Sequence, residues 1–281
     1  MKRWLCLALA AVLCVSALAA SAEAKSKLCD FSGRLKKGAA VVQPPAADPE
    51  DTPAEAPPEA PAAAPAEVPA AAEGKNVGPE VRIDSAEFAK VRSSAYLNET
   101  SYTKEANVMI ELKNISGKTL YPDDVSVIAY NAAGEVIEEE TYSDCGPKKV
   151  ENGGSLFVWE GFYGFDAPIE EISCFDVKIT SETEAWNDYM PIAGEAFVEN
   201  GAAYVLVKNT TDRPVFDVEA TVVMEGEEGQ LLDVTSVGSY QCGVTPGSEM
   251  IMRSTASDYA NDGLLMGANA AAYVQYKLSR Y

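Results

Sequence analysis

The feature that most constrains this chain is a duplication. Asn107 to Val136 reads NVMIELKNISGKTLYPDDVSVIAYNAAGEV, and Ala202 to Leu231 answers it as AAYVLVKNTTDRPVFDVEATVVMEGEEGQL, without a gap, at a constant offset of 95. A copied segment that keeps its apolar positions while other residues drift is a copied fold. In the first copy Val108, Ile110 and Leu112 alternate with Asn107, Met109, Glu111 and Lys113. A period of two predicts a strand with one face in a core and the other in water. Ala203, Val205 and Val207 take the same places in the second copy.

Both strands end in Lys-Asn, at Lys113-Asn114 and Lys208-Asn209. Turn formers follow, Ser116-Gly117-Lys118 in one copy and Thr211 to Pro214 in the other; Asn and Ser bond nearby backbone and stop the strand. A second strand starts near Tyr121 or Phe216 and alternates through Val125, Val127 and Ala129, or Ala220, Val222 and Met224. Gly134 and Gly229 then mark a turn. Cys145-Gly146 answers Cys242-Gly243, and Gly154-Ser155 answers Gly247-Ser248. Each copy closes on one more strand, Ile172 to Thr180 and Ala272 to Leu278. The Val81 to Val91 stretch supplies an opening strand for the first copy, and Glu195 to Glu199 for the second. Short strands with turns between them predict an all-β sandwich, made twice.

This series of strand, Asn, turn, aromatic, alternating strand, glycine turn and Gly-Ser resembles the bacterial FxLYD family of Ig-like domains. Asn114, Leu120, the Val125–Ala129 strand, Gly134 and Gly154-Ser155 sit where that pattern wants them. The aromatic-Asp pair of the family is Tyr130-Asn131 here and Glu225-Gly226 in the second copy. The resemblance implies two Ig-like β-sandwiches on an exported bacterial protein, and it carries no catalytic residues. It also implies that the sequons at Asn98, Asn114 and Asn209, which act only in a eukaryotic secretory route, are not used.

Ahead of the repeats, residues 1–24 read as a signal peptide. Lys2 and Arg3 precede the apolar run Leu5 to Leu18, and Ala20-Ser21-Ala22 and Ala22-Glu23-Ala24 are small-x-small cleavage sites. That run is shorter than the ~20 residues a spanning helix needs. Residues 25–38 form a basic leader. Residues 39–79 are dominated by Ala and Pro with scattered acids, a composition that predicts a disordered, extended spacer. Globular composition begins at Glu80, so the sandwiches are placed at 80–181 and 182–281. The expected location is therefore outside the cytoplasm, secreted, periplasmic or held at the envelope, with no membrane segment in the mature chain.

An even set of cysteines beyond the signal, Cys29, Cys145, Cys174 and Cys242, favours disulfides in an exported chain. Cys145 with Cys174 is the favoured pair, and Cys145 with Cys242 its rival. Tyr273 is aligned with Cys174, so the second copy would lack that bridge and Cys242 would join Cys29 or stay free. The chain has no histidine, which excludes Ser-His-Asp and Cys-His catalysis and histidine metal sites. Without C-x-x-C spacing or a calcium-loop pattern, no metal or cofactor is expected.

A net charge of −21 repels nucleic acid and suits a cationic partner. Trp159, Phe162, Tyr163 and Phe165 form a candidate contact patch, and Trp186 with Tyr189 a candidate packing pair near the junction. Runs such as Glu138-Glu139-Glu140 and Glu170-Glu171 read as solvated faces. The function expected is a non-enzymatic module that binds a protein or glycan at the envelope, or acts as a spacer. The alternatives are a carboxylate-based glycan-acting enzyme and a protease-inhibitor-like module presenting the Asp144 to Gly154 loop. Partner identity and oligomeric state are not readable from these residues.

Overall fold

The computed structural model describes residues 76–99, 103–164, 166–184, 188–239 and 242–278. The expected signal peptide, the basic leader and all but the end of the linker lie outside the described residues, as do Cys29, Phe165 and Trp186. All described residues belong to one compact unit, and nearly all regular structure in it is β.

The first half contains β1 (Glu80–Asp84), β2 (Phe88–Glu99), β3 (Lys104–Asn114), β4 (Tyr121–Asn131), β5 (Val136–Glu140), β6 (Asp144–Gly146), β7 (Ser155–Tyr163) and β8 (Ile172–Glu182). They form two sheets, β1-β8-β4-β5 and β2-β3-β7-β6. The second half contains β9 (Asp188–Pro191), β10 (Gly194–Glu199), β11 (Ala202–Lys208), β12 (Val218–Glu225), β13 (Leu231–Ser239), β14 (Glu249–Thr255), β15 (Ser257–Asp258), β16 (Gly263–Leu264) and β17 (Asn269–Leu278). Its main sheets, β13-β12-β17-β9 and β10-β11-β14, repeat the order of the first half without a partner for β6. One difference is the outermost strand beside the closing one: β1 runs parallel to β8, whereas β9 runs antiparallel to β17.

Each pair of sheets encloses its own core. Val108, Ile110, Leu112, Val127 and Phe175 lie in the first, and Ala203, Val205, Val207, Val222 and Met224 in the second. These are the positions the period-two pattern selects. The Val81–Val91 stretch is not one strand, however. It breaks at Ser85–Glu87, and β1 and β2 join different sheets. The fold also starts before Glu80: Asn76 Oδ1 accepts from the Ser93 backbone N–H at 2.9 Å, and Val77 bridges β2 at Ser94. The end of the linker is thus tied along the outer edge of β2.

Asn114 and Asn209 explain why the two halves turn alike. Asn114 Nδ2 donates to the carbonyls of Lys118 and Val150, and its Oδ1 accepts from the Ser116 N–H and hydroxyl. Asn209 makes the same set, to Arg213 and Val244 and from Thr211. Both side chains are buried. Each therefore closes the turn after its strand and pins a distant loop to it, which is why an Asn-x-Ser/Thr triplet recurs here.

The largest departure from expectation concerns the polar face of β3. Met109, Asn107 and Glu111 are buried rather than solvated. The outward face of β2-β3-β7 packs on the outward face of β12 and β13, making a third apolar cluster of Tyr96, Met109, Phe157, Val223, Leu231 and Val234. Both halves thus bury strands on two sides. Arg92 bonds across this seam: Nε donates to Glu111 at 2.7 Å, Nη1 to the Gly229 carbonyl at 2.7 Å, and Nη2 to Glu225. Tyr96 Oη donates to the Leu231 carbonyl at 2.7 Å.

Candidate functional site at the seam

The seam is not closed along its whole length, and the reason lies in β7. Its outward positions are Phe157, Trp159, Gly161 and Tyr163, standing opposite Glu111, Met109, Asn107 and Glu105 of β3. Phe157 fills the space against the second half, its ring 5.0 Å from that of Tyr273. Gly161 has no side chain, and the Tyr163 ring lies over it, its hydroxyl 2.7 Å from where a Cβ would stand. A cleft of about 230 Å³ opens there, walled by Trp159 and Tyr163 on either side of Gly161, Asn107 behind it, and Asp233 and Tyr259 from the second half. Asp144 stands directly across from Trp159 in the β6–β7 pairing and also lines the cleft, as does Glu160.

Its electrostatics are one-sided. No Lys or Arg is among the lining residues. Asp233 is only 3% exposed. Burial pushes its carboxyl up to about 6, despite the Ser257 N–H donating to Oδ2 at 2.7 Å. Burial likewise raises Glu160, with Glu140 and Asp144 adding to it, and pushes the Tyr259 phenol up to about 12. Asn107 is also only 3% exposed, and its Nδ2 has no hydrogen-bond partner. Such an orphan donor costs roughly 1–3 kcal/mol when left dry.

A second cleft of about 270 Å³ lies on the other side of Trp159 and Asp144, lined among others by Cys145, Lys148, Thr221 and Tyr273. Lys149 anchors the neighbouring loop. Its backbone N–H donates to Gln275 Oε1 at 3.1 Å, Gln275 Nε2 donates back at 2.7 Å, and its Nζ meets Asp188 at 3.0 Å. The Asp144–Gly154 segment is therefore strapped to the body over part of its length.

The four aromatics grouped by sequence are not brought together. Strand alternation puts Phe162 on the inward face of β7, in the first core and stacked on Phe175 with centroids 6.0 Å apart. Trp159 is half-buried in the seam, and Tyr163, 64% exposed, stands at its mouth. The two outward members belong to the cleft, and Phe165 lies outside the described residues.

The favoured disulfide is not formed. Cys145, Cys174 and Cys242 are free thiols. Cys145 packs in the first core, where Phe175 and Val177 of β8 also point. Cys174 is next to Phe175, so alternation turns it to the opposite face of β8, beside Arg82 and Asp176. The rival Cys145–Cys242 pair is not formed either, since Cys242 is exposed and Cys145 buried. Pairing register also places Asn269, not Tyr273, at the counterpart of Cys174: Cys174 faces Tyr130, and Asn269 faces Glu225, at the offset of 95. Burial raises both interior thiols above their ordinary range, which disfavours the reactive thiolate.

Among the described residues no group of three or more Asp, Glu, Cys or His side chains is placed to hold a metal, and no helix is long and apolar enough to cross a membrane. Nothing in the sequence flagged Asp233, Asn107 or Gly161. The alternation marked Asn107 as outward, but it does not show that a second sheet covers it.

No family model matches the chain, and no curated protein matches it. Among solved structures, one described as "Structure of infectious bursal disease virus Gx strain" is similar at 8% identity with a TM-score of 0.19. The match covers 66% of this chain and 53% of that one, so this chain spans about half of it, and a likeness this slight carries no argument about function.

Proposed function

We propose that this chain is a non-enzymatic, exported module whose paired β-sandwiches form one rigid head for binding a partner at the cell envelope. The observation that carries the reading is the seam: a shared apolar cluster and the Arg92 bonds join the halves, yet leave a polar, aromatic cleft open between them. A rigid head on an Ala/Pro-rich spacer suits presentation at a distance. The matched Asn114 and Asn209 turns support reading the two halves as copies of one unit. Incubating the full chain with envelope preparations tests this. The head is expected to sediment with the envelope and to release no soluble fragments. A head that stays in the supernatant overturns binding, and fragment release overturns the non-enzymatic reading.

One observation favours the carboxylate-enzyme reading. Asp144 and Asp233 both border a single concavity, and Asp233 at about 6 suits a general acid. Its burial and its bond to Ser257 weigh against contact with a substrate. If glycan fragments were released with a pH limb near 6 that disappears in Asp233→Asn, this second reading would replace the first.

A further inference from the structure

The second sandwich is open where the first is closed. Leu156 pairs with Leu112, and Met250 with Val207, which is Leu112 at the offset of 95. Residues 157–159 of β7 therefore answer 251–253 of β14. In the first half β6 covers the outer edge of β7 at those residues. Among the described residues no strand covers β14 on that side. Two bonds at the ends of the β11–β14 ladder fix which backbone groups face out: the Asn209 N–H donates to the Ser248 carbonyl and the Ala256 N–H to that of Gly201, both at 3.0 Å. Bonded pairs recur at every second residue of an antiparallel ladder. Met250, Met252 and Ser254 thus bond to β11, while Glu249, Ile251 and Arg253 turn N–H and C=O to the open edge. The side chains of those three are exposed on one face, Ile251 by 39%.

We propose that β14 pairs antiparallel with β14 of a second copy of this chain, about a two-fold axis at Ile251, joining two three-stranded sheets into one of six. The residues select this occupant. The axis sets Glu249 opposite the partner's Arg253, Arg253 opposite the partner's Glu249, and Ile251 on the partner's Ile251. All three are pairs that exchange both backbone bonds, with their side chains on the same face. A two-fold contact must be complementary to itself, and other outer strands are not. The same operation about Phe197 of β10 opposes Glu195 and Glu199, and about Arg82 of β1 it opposes Glu80 and Asp84. β5 ends in three glutamates, and β9 ends in a proline. Like charges and proline are the usual blocks against edge pairing, and β14 carries neither. The pairing is independent of what the head binds, so either reading can fail without the other.

Analytical ultracentrifugation of the full chain tests this. Salt near physiological strength screens the repulsion from a net charge of −21 beyond about 8 Å. Reductant ensures that no disulfide through the exposed Cys242 imitates a dimer. The mass is expected to rise with concentration from that of one chain towards that of two. Glu249→Arg and Arg253→Glu should each weaken the dimer about tenfold or more, because each opposes like charges across the axis. The double exchange should restore it by reversing the pair. Ile251→Pro removes an outward N–H from an edge strand, where proline is tolerated, and should abolish pairing. In hydrogen exchange, the amides of Glu249, Ile251 and Arg253 should gain protection with concentration, and those of Met250 and Met252 should not change. A monomer at every concentration up to about 1 mM, a dimer indifferent to the single swaps, or one that leaves those three amides unprotected overturns the proposal. Protection that appears only when envelope material is added to a chain that stays monomeric also overturns it, in favour of a strand from another protein. Both swaps lie at exposed side chains, so they decide the matter even if Ile251→Pro does not fold.

Discussion

Two kinds of buried polar residue set the chemistry of this protein at the residue scale. Asn114 and Asn209 are fully bonded, so each stabilises. Replacing either with Ala removes those bonds and leaves two carbonyls and an N–H to find other partners. A loss of about 2–4 kcal/mol per site is expected, read as a lower urea midpoint, and of similar size in the two halves because the bonds are the same. Asp233 is the opposite case. Its folded value, about 6, lies above its ordinary 3.8, so the folded state holds the proton more tightly than the unfolded one. Its contribution is most favourable below pH 4, declines as pH rises through the 4–6 window, and is fully lost above it. Asp233→Asn keeps an oxygen for the Ser257 N–H and removes the charge. It should stabilise the protein by about 1–3 kcal/mol at pH 8 and match the wild type at pH 4, as denaturation at the two pH values would show.

At the scale of elements, the hairpins β4–β5 and β12–β13 turn on Gly134 and Gly229, at φ of 81° and 77°. A Cβ at either would touch nothing within 4 Å. Any cost of substitution is therefore in the backbone alone. Gly134→Ala and Gly229→Ala should each destabilise by about 1–2 kcal/mol, measurable by thermal melting without a change in the spectrum of the folded state. These glycines, the alternating core positions and the Lys-Asn strand ends were all legible in the residues, because they answer to local geometry. The break between β1 and β2 was less so. Val81 and Phe88 are both core residues, but they reach it from opposite sheets, and a one-dimensional pattern does not say from which side a residue arrives.

At the scale of the whole molecule, the seam decides cooperativity. Arg92 places one cation against Glu111 and Glu225, one from each half. Removing one member of a partly buried charge cluster leaves the others uncompensated, at about 3–5 kcal/mol. Arg92→Ala is expected to lower the melting temperature and to split one calorimetric transition into two, as each sandwich then melts on its own core. A single unchanged transition would show that the apolar cluster alone couples the halves.

Composition and periodicity sufficed for an all-β chain built twice from one pattern, since a strand's alternation and a turn's residue preferences are encoded within a few neighbours. The cysteines show where this stops: their count suggested a bridge, but strand parity turns Cys174 away from Cys145. The burial of Met109 against Val223 and Leu231, the orphaned Asn107, and the cleft beside Trp159 depend on surfaces far apart in the chain meeting face to face. A side chain that would read as solvent-facing in isolation looks the same whether water or another sheet covers it, so only the tertiary structure could tell the two apart.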